Sequence, residues 1–268
     1  MSRNIRLLAV DLDGTLLSSE RKPVEISVEA LRRARDAGIM VVLASGRVAP
    51  SVRYFAKLVG LDAPIVCANG SHVLDANDSD IYHLGLAPEV LTTLTEYADE
   101  TSTHLNIYAR ERLMFHRDSG WVDMYRKRVG MMEPTLASSE ELIGLEATKL
   151  MLVDTPENIP GHIAQTKVLL HGLKVRLVQS EPEYLEFLHP DADKGSGLQA
   201  ICDRYGIPQC ETAAIGDYWN DLEMIRWVGF SAAIGNATPD VVSAAHVKVR
   251  TNEDAGVAEF VDLIFAQR

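Results

Sequence analysis

The segment Asp11-Leu12-Asp13-Gly14-Thr15 sets two carboxylates one residue apart, close enough to serve one reacting centre. A carboxylate can attack phosphorus and carry the phosphoryl group as an acyl phosphate. A second acid beside it can protonate a leaving oxygen and later take a proton from water. Three further segments offer groups suited to the same chemistry. Ser45-Gly46-Arg47 supplies a hydroxyl and backbone amides at Gly46 and Arg47 that can cradle phosphate oxygens. Lys194 supplies a cation, and Gly216-Asp217-Tyr218-Trp219-Asn220-Asp221 adds two carboxylates and an amide.

Gathered together, Asp11, Asp13, Asp217 and Asp221 would raise one another's pKa unless a cation intervened. A hard divalent ion with oxygen ligands resolves that conflict, and magnesium commonly takes one or two carboxylates, water and a phosphate. With Lys194 it would also create an anion-attracting spot in an acidic chain. Phosphoryl transfer asks mainly for positioning and charge neutralisation, which this set provides. Each segment alone has a plainer reading: Asp-x-Asp-Gly is a common turn, Ser-Gly a common loop, and Asn220-Asp221 a plausible helix cap. A single lysine is usually a solvated one. The functional reading rests on their occurring jointly, each at the end of an expected strand.

The elements that must position them read as a parallel α/β sheet. Ile5 to Val10, Ile39 to Ala44 and Ile65 to Ala68 are short apolar runs, the pattern of strands buried on both faces. Helices are predicted between them, over Val24 to Ala37 and Pro50 to Val59, and Asn69-Gly70 signals a turn. The same grammar returns with a helix at Gly195 to Tyr205, a strand at Thr212 to Ile215 and a helix at Leu222 to Trp227. Strands at Ser231 to Ile234 and His246 to Val249 and an amphipathic helix at Val257 to Phe265 complete it. In open parallel sheets, ligands collect beyond the carboxyl ends of the strands, so the four segments converge on one edge.

The middle of the chain differs. It predicts a helix at Pro88 to Glu100, a hairpin of Thr103 to Tyr108 with Leu113 to His116, and a helix around Trp121 to Arg128. A strand at Lys149 to Val153, a helix at Asn158 to His171 and strands at Val175 to Gln179 and Tyr184 to His189 follow. This is an α+β module inserted into the parallel core, with boundaries near 83 and 190.

Composition sets outer bounds. The 268 residues are 47% hydrophobic and 24% charged, the balance of a soluble globular chain. The net charge of −12 argues against nucleic acid or anionic membrane as a partner. Cys67, Cys202 and Cys210 form no pair of metal-binding or disulfide spacing, and the apolar stretch ending at Val10 is too short for a signal peptide. A cytoplasmic location is expected, as a monomer or small homo-oligomer.

Taken together, the four segments resemble the motifs of the haloacid dehalogenase (HAD) superfamily. Asp11-Leu12-Asp13-Gly14-Thr15-Leu16 is similar to its first, Ser45-Gly46-Arg47 to its second, Lys194-Gly195 to its third, and Gly216 to Asp221 to its fourth. The insertion resembles the type C2B cap of the type IIB, Cof-like hydrolases. Tyr184-Leu185-Glu186-Phe187-Leu188 and Glu253-Asp254-Ala255-Gly256-Val257-Ala258 support that likeness. The resemblance covers nearly the whole chain. It implies a Rossmann-like core of residues 1–82 and 190–268 and a cap of residues 83–189. It further implies a Mg2+-dependent phosphatase acting on a small phosphorylated metabolite, a sugar phosphate or similar phosphomonoester, through an aspartyl-phosphate.

Carried onto this sequence, the resemblance makes Asp11 the nucleophile and a metal ligand. Asp13 becomes the acid/base, with its backbone carbonyl on the metal. Ser45, Gly46, Lys194 and Asn220 bind the phosphoryl group, Asp217 is a further metal ligand, and Asp221 orients the metal shell or Lys194. Serine stands where threonine is more frequent, keeping the hydroxyl, and Ala255 interrupts the usual Asp-Gly-Val near the C-terminus. A phosphomutase or phosphotransferase, or a non-catalytic ligand-binding protein, would share this fold. Dehalogenation needs neither the second acid nor the Asp217 cluster.

Other signals are weaker. Asp75 to Asp80 lacks the glycine and glutamate of a calcium loop and reads as a solvated hairpin loop. The histidines lack zinc spacing. His116 and His189, with Arg110, Arg112 and Arg117, are the residues of the module and its margin that could face a substrate. Cys67 reads as a small buried hydrophobe.

Overall fold

The computed structural model describes residues 4–129 and 133–267; Met1, Ser2, Arg3 and Arg268, outermost in the expected core, lie outside them. Two sheets carry the fold. The chain opens with β1 (Leu7–Val10), β2 (Met40–Ala44), β3 (Ile65–Cys67), β4 (His72–Leu74) and β5 (Asp80–His83), with helices α1 (Glu25–Asp36) and α2 (Ala49–Val59) between the first three. Next come α3 (Pro88–Thr101), β6 (His104–Ala109), β7 (Arg112–Phe115), α4 (Val122–Val129), β8 (Thr135–Leu136) and α5 (Ser139–Leu142). The middle ends with β9 (Lys149–Val153), α6 (Ile159–Leu169), β10 (Arg176–Val178) and β11 (Tyr184–Leu188). Then α7 (Lys194–Tyr205), β12 (Thr212–Gly216), α8 (Leu222–Trp227), β13 (Phe230–Ala233), α9 (Pro239–Ala244), β14 (Val247–Lys248) and α10 (Gly256–Ala266) return to the first sheet.

The first sheet has the order β14-β13-β12-β1-β2-β3-β4-β5. It is parallel from β14 to β3, as the alternating strand and helix runs predict, and its last two strands are antiparallel. The apolar runs lie where both faces are covered: all four residues of β1 are buried, as are all five of β12. Small residues in β12 let its neighbours approach. Two strands that were not predicted, β4 and β5, flank the hairpin loop expected at Asp75 to Asp80, and Asn69-Gly70 leads into them as part of a 3-10 turn, Ala68–Gly70. Asp75 to Ser79 join the two strands, and Asp75 Oδ1 accepts the amides of Asn77 and Ser79 at 2.8 and 3.0 Å. That loop carboxylate is occupied by its own backbone.

The second sheet, β10-β11-β9-β6-β7-β8, obeys a period of two. Leu105, Ile107, Leu150, Leu152, Leu185 and Phe187 form one face, packed with Val90, Leu91, Leu94 and Tyr97 of α3 and Ile159 of α6. Full burial of such side chains contributes about 1.5–3 kcal/mol each. The intervening Tyr108, Met151, Val153 and Tyr184 form the other face, packed with Phe115 and with Val48 from the loop beyond β2. Lys149 and Glu186 share that face. The second sheet thus presents its polar side to the carboxyl edge of the first.

Candidate active site

The strand β1 lies between β2 and β12, where the order of connection reverses. Asp11, Ser45 and Asp217 each follow the last residue of one of these strands, so the topology brings them to a single crevice. Lys194 opens α7, held there by a capping box: Asp193 Oδ1 accepts the Ser196 amide at 2.8 Å and Ser196 Oγ accepts the Asp193 amide at 3.1 Å. A cation in the first turn opposes the helix dipole. Its compensation comes from elsewhere: Nζ donates to Asp11 Oδ1 and to Asp221 Oδ1, both at 2.6 Å, with Lys194 fully buried. Burial alone would lower its pKa, and the two carboxylates more than reverse this, so it stays protonated.

Asp11 is 4% exposed, and its Oδ2 is buried with no hydrogen-bond partner. Burial pushes its pKa up to about 7, with Asp221 and Asp13 adding to the rise and Lys194 opposing it. Asp217 is raised well above the carboxylate range by burial and then by Asp11 and Asp221, although Thr15 Oγ1 donates to its Oδ1 at 3.0 Å. Carboxylate oxygens of Asp11, Asp217 and Asp221 lie within 4.8 Å of one another. Such crowding of buried acids, one with an orphaned oxygen, fits a divalent cation. Asp221 has least to offer it. Its Oδ1 is taken by Lys194, and its Oδ2 accepts the amides of Asp217 and Tyr218 at 2.9 and 3.2 Å. It braces the lysine and the loop, leaving Asp11 and Asp217 to face an ion.

Gly14 explains the fourth letter of the first segment. Its φ is +80°, and a Cβ there would sit 2.4 Å from Asp217 Oδ2. Any side chain would collide with one of the carboxylates and strain the turn.

Asp13 stands differently. Arg47 grips it with Nε and Nη2, both at 2.7 Å, and Arg21 Nη1 adds a bond at 2.9 Å. Burial favours its neutral form, yet the guanidinium of Arg47, then that of Arg21, hold its pKa below the usual value. In this arrangement Asp13 is a base. Arg21 Nη2 also reaches Glu181 Oε1 in the β10–β11 loop at 3.2 Å.

Ser45 is buried, and its Oγ accepts the Arg47 amide at 3.2 Å. Asn220 Nδ2 donates to Asn69 Oδ1 at 3.0 Å. A cavity of about 60 Å3 is bounded by Asp11, Asp13, Ser45, Gly46, Asp217 and Asn220 from the first sheet and by Tyr108, Lys149, Met151, Tyr184 and Glu186 from the second. It has room for a few waters and is far smaller than a metabolite pocket. All eight residues singled out from the sequence therefore meet in one place, Lys194 and Asp221 behind the wall and the others on it.

Others escaped the sequence reading. The side chains of Arg21 and Arg47, Asn69, Lys149, Glu186 and the two tyrosines all belong to this neighbourhood. One signal was available: a charge inside each apolar strand, Lys149 in Lys-Leu-Met-Leu-Val and Glu186 in Tyr-Leu-Glu-Phe-Leu, is unusual without a partner. The flagged residues of the module lie elsewhere. Arg110 pairs with Asp80, Arg112 with Glu141, His116 with Asp99, and Arg117 with the Ala98 carbonyl. His189 accepts the Asp191 amide. None of these borders the cavity.

Known proteins share this construction. The chain is 30% identical to YxeH of Bacillus subtilis, over 98% of this chain and 99% of that one. It is 29% identical to the 5-amino-6-(5-phospho-D-ribitylamino)uracil phosphatase YitU of the same organism, over 97% of each. A solved haloacid dehalogenase-like hydrolase from Bacteroides thetaiotaomicron superposes with a TM-score of 0.86 at 27% identity, covering 97% of this chain and all of that one. The family model for haloacid dehalogenase-like hydrolases matches residues 8–261, taking in all four segments at the carboxyl edge, and this chain belongs to that family.

Proposed function

We propose that this chain is a Mg2+-dependent phosphatase that hydrolyses a small phosphorylated metabolite, a sugar phosphate or similar phosphomonoester, by way of a phosphorylated Asp11. The observation that carries the reading is Asp11 itself: Lys194 fixes Oδ1, and the buried Oδ2 has no partner. Asp11 Oδ2 attacks phosphorus, and the bond from phosphorus to the leaving oxygen breaks. Asp13 gives that oxygen its proton. Water then attacks the phosphoenzyme, delivering its proton to Asp13 and releasing inorganic phosphate and free Asp11. To act as the acid, Asp13 must first exchange a guanidinium for a proton taken from water, and both Arg47 and Arg21 border the cavity where a phosphate would draw them.

Asp11 and Asp217, with the main-chain carbonyl of Asp13, are the residues that would hold Mg2+. The ion would neutralise the crowded carboxylates and polarise the phosphoryl oxygens. Ser45 Oγ, the amides of Gly46 and Arg47, Asn220 and Lys194 receive those oxygens, while Asp221 keeps Lys194 in place. Residues 83–189 act as a cap over the core formed by 1–82 and 190–268, and they see the leaving group. The relative YitU, by its name, acts on a phosphorylated ribityl compound. A polyol phosphate suits a wall that carries the two tyrosines Tyr108 and Tyr184.

Asp11→Asn should lower kcat/KM toward p-nitrophenyl phosphate with Mg2+ by at least about 10^4-fold while leaving the circular dichroism spectrum unchanged. Retained turnover would remove Asp11 as the nucleophile. A panel of phosphorylated sugars and polyols, ranked by kcat/KM, identifies the substrate.

A further inference from the structure

Lys149 and Glu186 form an ion pair inside the cap, and each also makes a bond that crosses into the core. Lys149 opens β9 and Glu186 lies in β11, the neighbouring strand; each is 1% exposed. Lys149 Nζ donates to Glu186 Oε1 at 2.8 Å and lies 4.2 Å from the ring centre of Tyr108, its cross-strand neighbour on β6. Its other hydrogen bond goes to the Gly46 carbonyl at 2.6 Å, between the two phosphate-binding residues Ser45 and Arg47. Glu186 accepts from Ser180 Oγ at 2.9 Å and, through its second oxygen, from Asn69 Nδ2. Asn69 continues the chain of contacts by accepting from Asn220.

Stability does not account for this arrangement. A buried ion pair rarely stabilises more than well-packed apolar side chains of the same volume. The bond to Gly46 has a more specific consequence. The peptide joining Gly46 and Arg47 is trans, so its C=O and N–H point to opposite sides. Holding the carbonyl toward the cap turns the Arg47 amide away from it, toward Ser45 Oγ. Asn69 packs the same loop from another side: its Oδ1 lies 2.9 Å from where a Cβ of Gly46 would stand.

We propose that Lys149, with Glu186 and Asn69, is a positioning residue that sets the 46–47 peptide when the cap seats, so that the phosphate cradle of the core is completed by the cap. Lys149 acts through the loop and not on the leaving group. This rests on the phosphatase reading above, and the experiment separates the two.

Because Lys149→Met alone would leave Glu186 charged and buried, the decisive protein is the double variant Lys149→Met with Glu186→Gln. Its affinity for orthovanadate with Mg2+, which presents a phosphoryl-like anion and no leaving group, should fall by about 10-fold or more. Its kcat on p-nitrophenyl phosphate should fall in parallel, and Lys149→Arg should recover part of both. Should the double variant not fold, Asn69→Gly decides, since its left-handed backbone (φ +53°) accepts glycine. It should weaken vanadate binding to a smaller degree. Unchanged vanadate affinity with a raised KM for sugar phosphates alone would overturn the proposal and assign the pair to substrate hydroxyls. If the native protein neither binds vanadate nor cleaves p-nitrophenyl phosphate, the phosphatase reading fails first, and the proposal with it.

Discussion

The two halves of the cavity are built on different principles. The core contributes groups from loops beyond the ends of β1, β2 and β12 and from the first turn of α7, where the backbone is free of ladder hydrogen bonds and its amides can face a ligand. The cap contributes Tyr108, Lys149, Met151, Tyr184 and Glu186 from within or at the ends of β6, β9 and β11, where spacing is fixed at every second residue. A loop edge can wrap a small anion closely. A strand face offers a flat, regular wall of evenly spaced side chains. The difference matches a division of labour between a fixed reacting group and a variable leaving group.

That contrast can be broken from either side. The largest effect expected is from chelation of Mg2+, which should stop turnover. Restoring the ion should raise the melting temperature, because the ion relieves repulsion among Asp11, Asp217 and Asp221. Activity indifferent to EDTA would undo the core assignment. Lys194→Met should cost at least about 10^3-fold in kcat. It should also cost about 3–5 kcal/mol of stability in denaturant titration, since Asp11 and Asp221 lose their shared cation. Gly14→Ala should lower kcat by about 100-fold, with Asp217 displaced by the new methyl group. Loss of the substrate-independent step would appear equally with every phosphate ester.

Cap changes should look different. Arg176 of β10 pairs with Asp193 and Glu223 of the core, flanking the chain's return at α7. Arg176→Ala should raise KM a few-fold, about the worth of a partly exposed pair, with kcat nearly unchanged. An equal fall in kcat would mean that this contact, too, shapes the reacting centre. The smallest effect is one of pH. His104 in β6 is buried, and burial lowers its pKa despite the Asn106 hydrogen bond. The unfolded chain takes up a proton near pH 6.5 that the folded cap refuses, so stability present above that pH is lost as pH falls through it. Asp11, with its raised pKa, works in the opposite direction over the same range, so the measurement is a difference: the melting temperature of His104→Gln relative to that of the native protein should rise as pH falls from 7 to 5.5.

The same contrast explains what could be read from the sequence. Core elements follow from apolar runs and capping signals, and most of the candidate site residues sit just beyond strand ends, where topology collects them. Arg21 and Asn69 could not be placed that way. Each has a left-handed backbone, at φ +58° and +53°, and reaches its partners through the shape of an irregular loop. The strands β4 and β5 were not predicted, although the loop between them was, because they are short and β5 is only part-buried, leaving little alternation to detect. In the cap, strands and helices were legible but the working face was not. Lys149 stands far from the four motif segments in sequence, Glu186 lies in a stretch read only for its likeness, and both meet the core only in three dimensions.

The cavity of about 60 Å3 has a consequence for the fate of the phosphoenzyme. A cap that comes this close would leave a phosphorylated Asp11 few neighbours, and an alcohol that has not yet departed would compete with water for it. Hydrolysis and return of the phosphoryl group to that alcohol then become competing exits from one intermediate. Their ratio is set by whether the cap lifts before or after a water takes its turn. Incorporation of isotope-labelled free alcohol into unreacted phosphate ester, measured against release of inorganic phosphate, reads that competition.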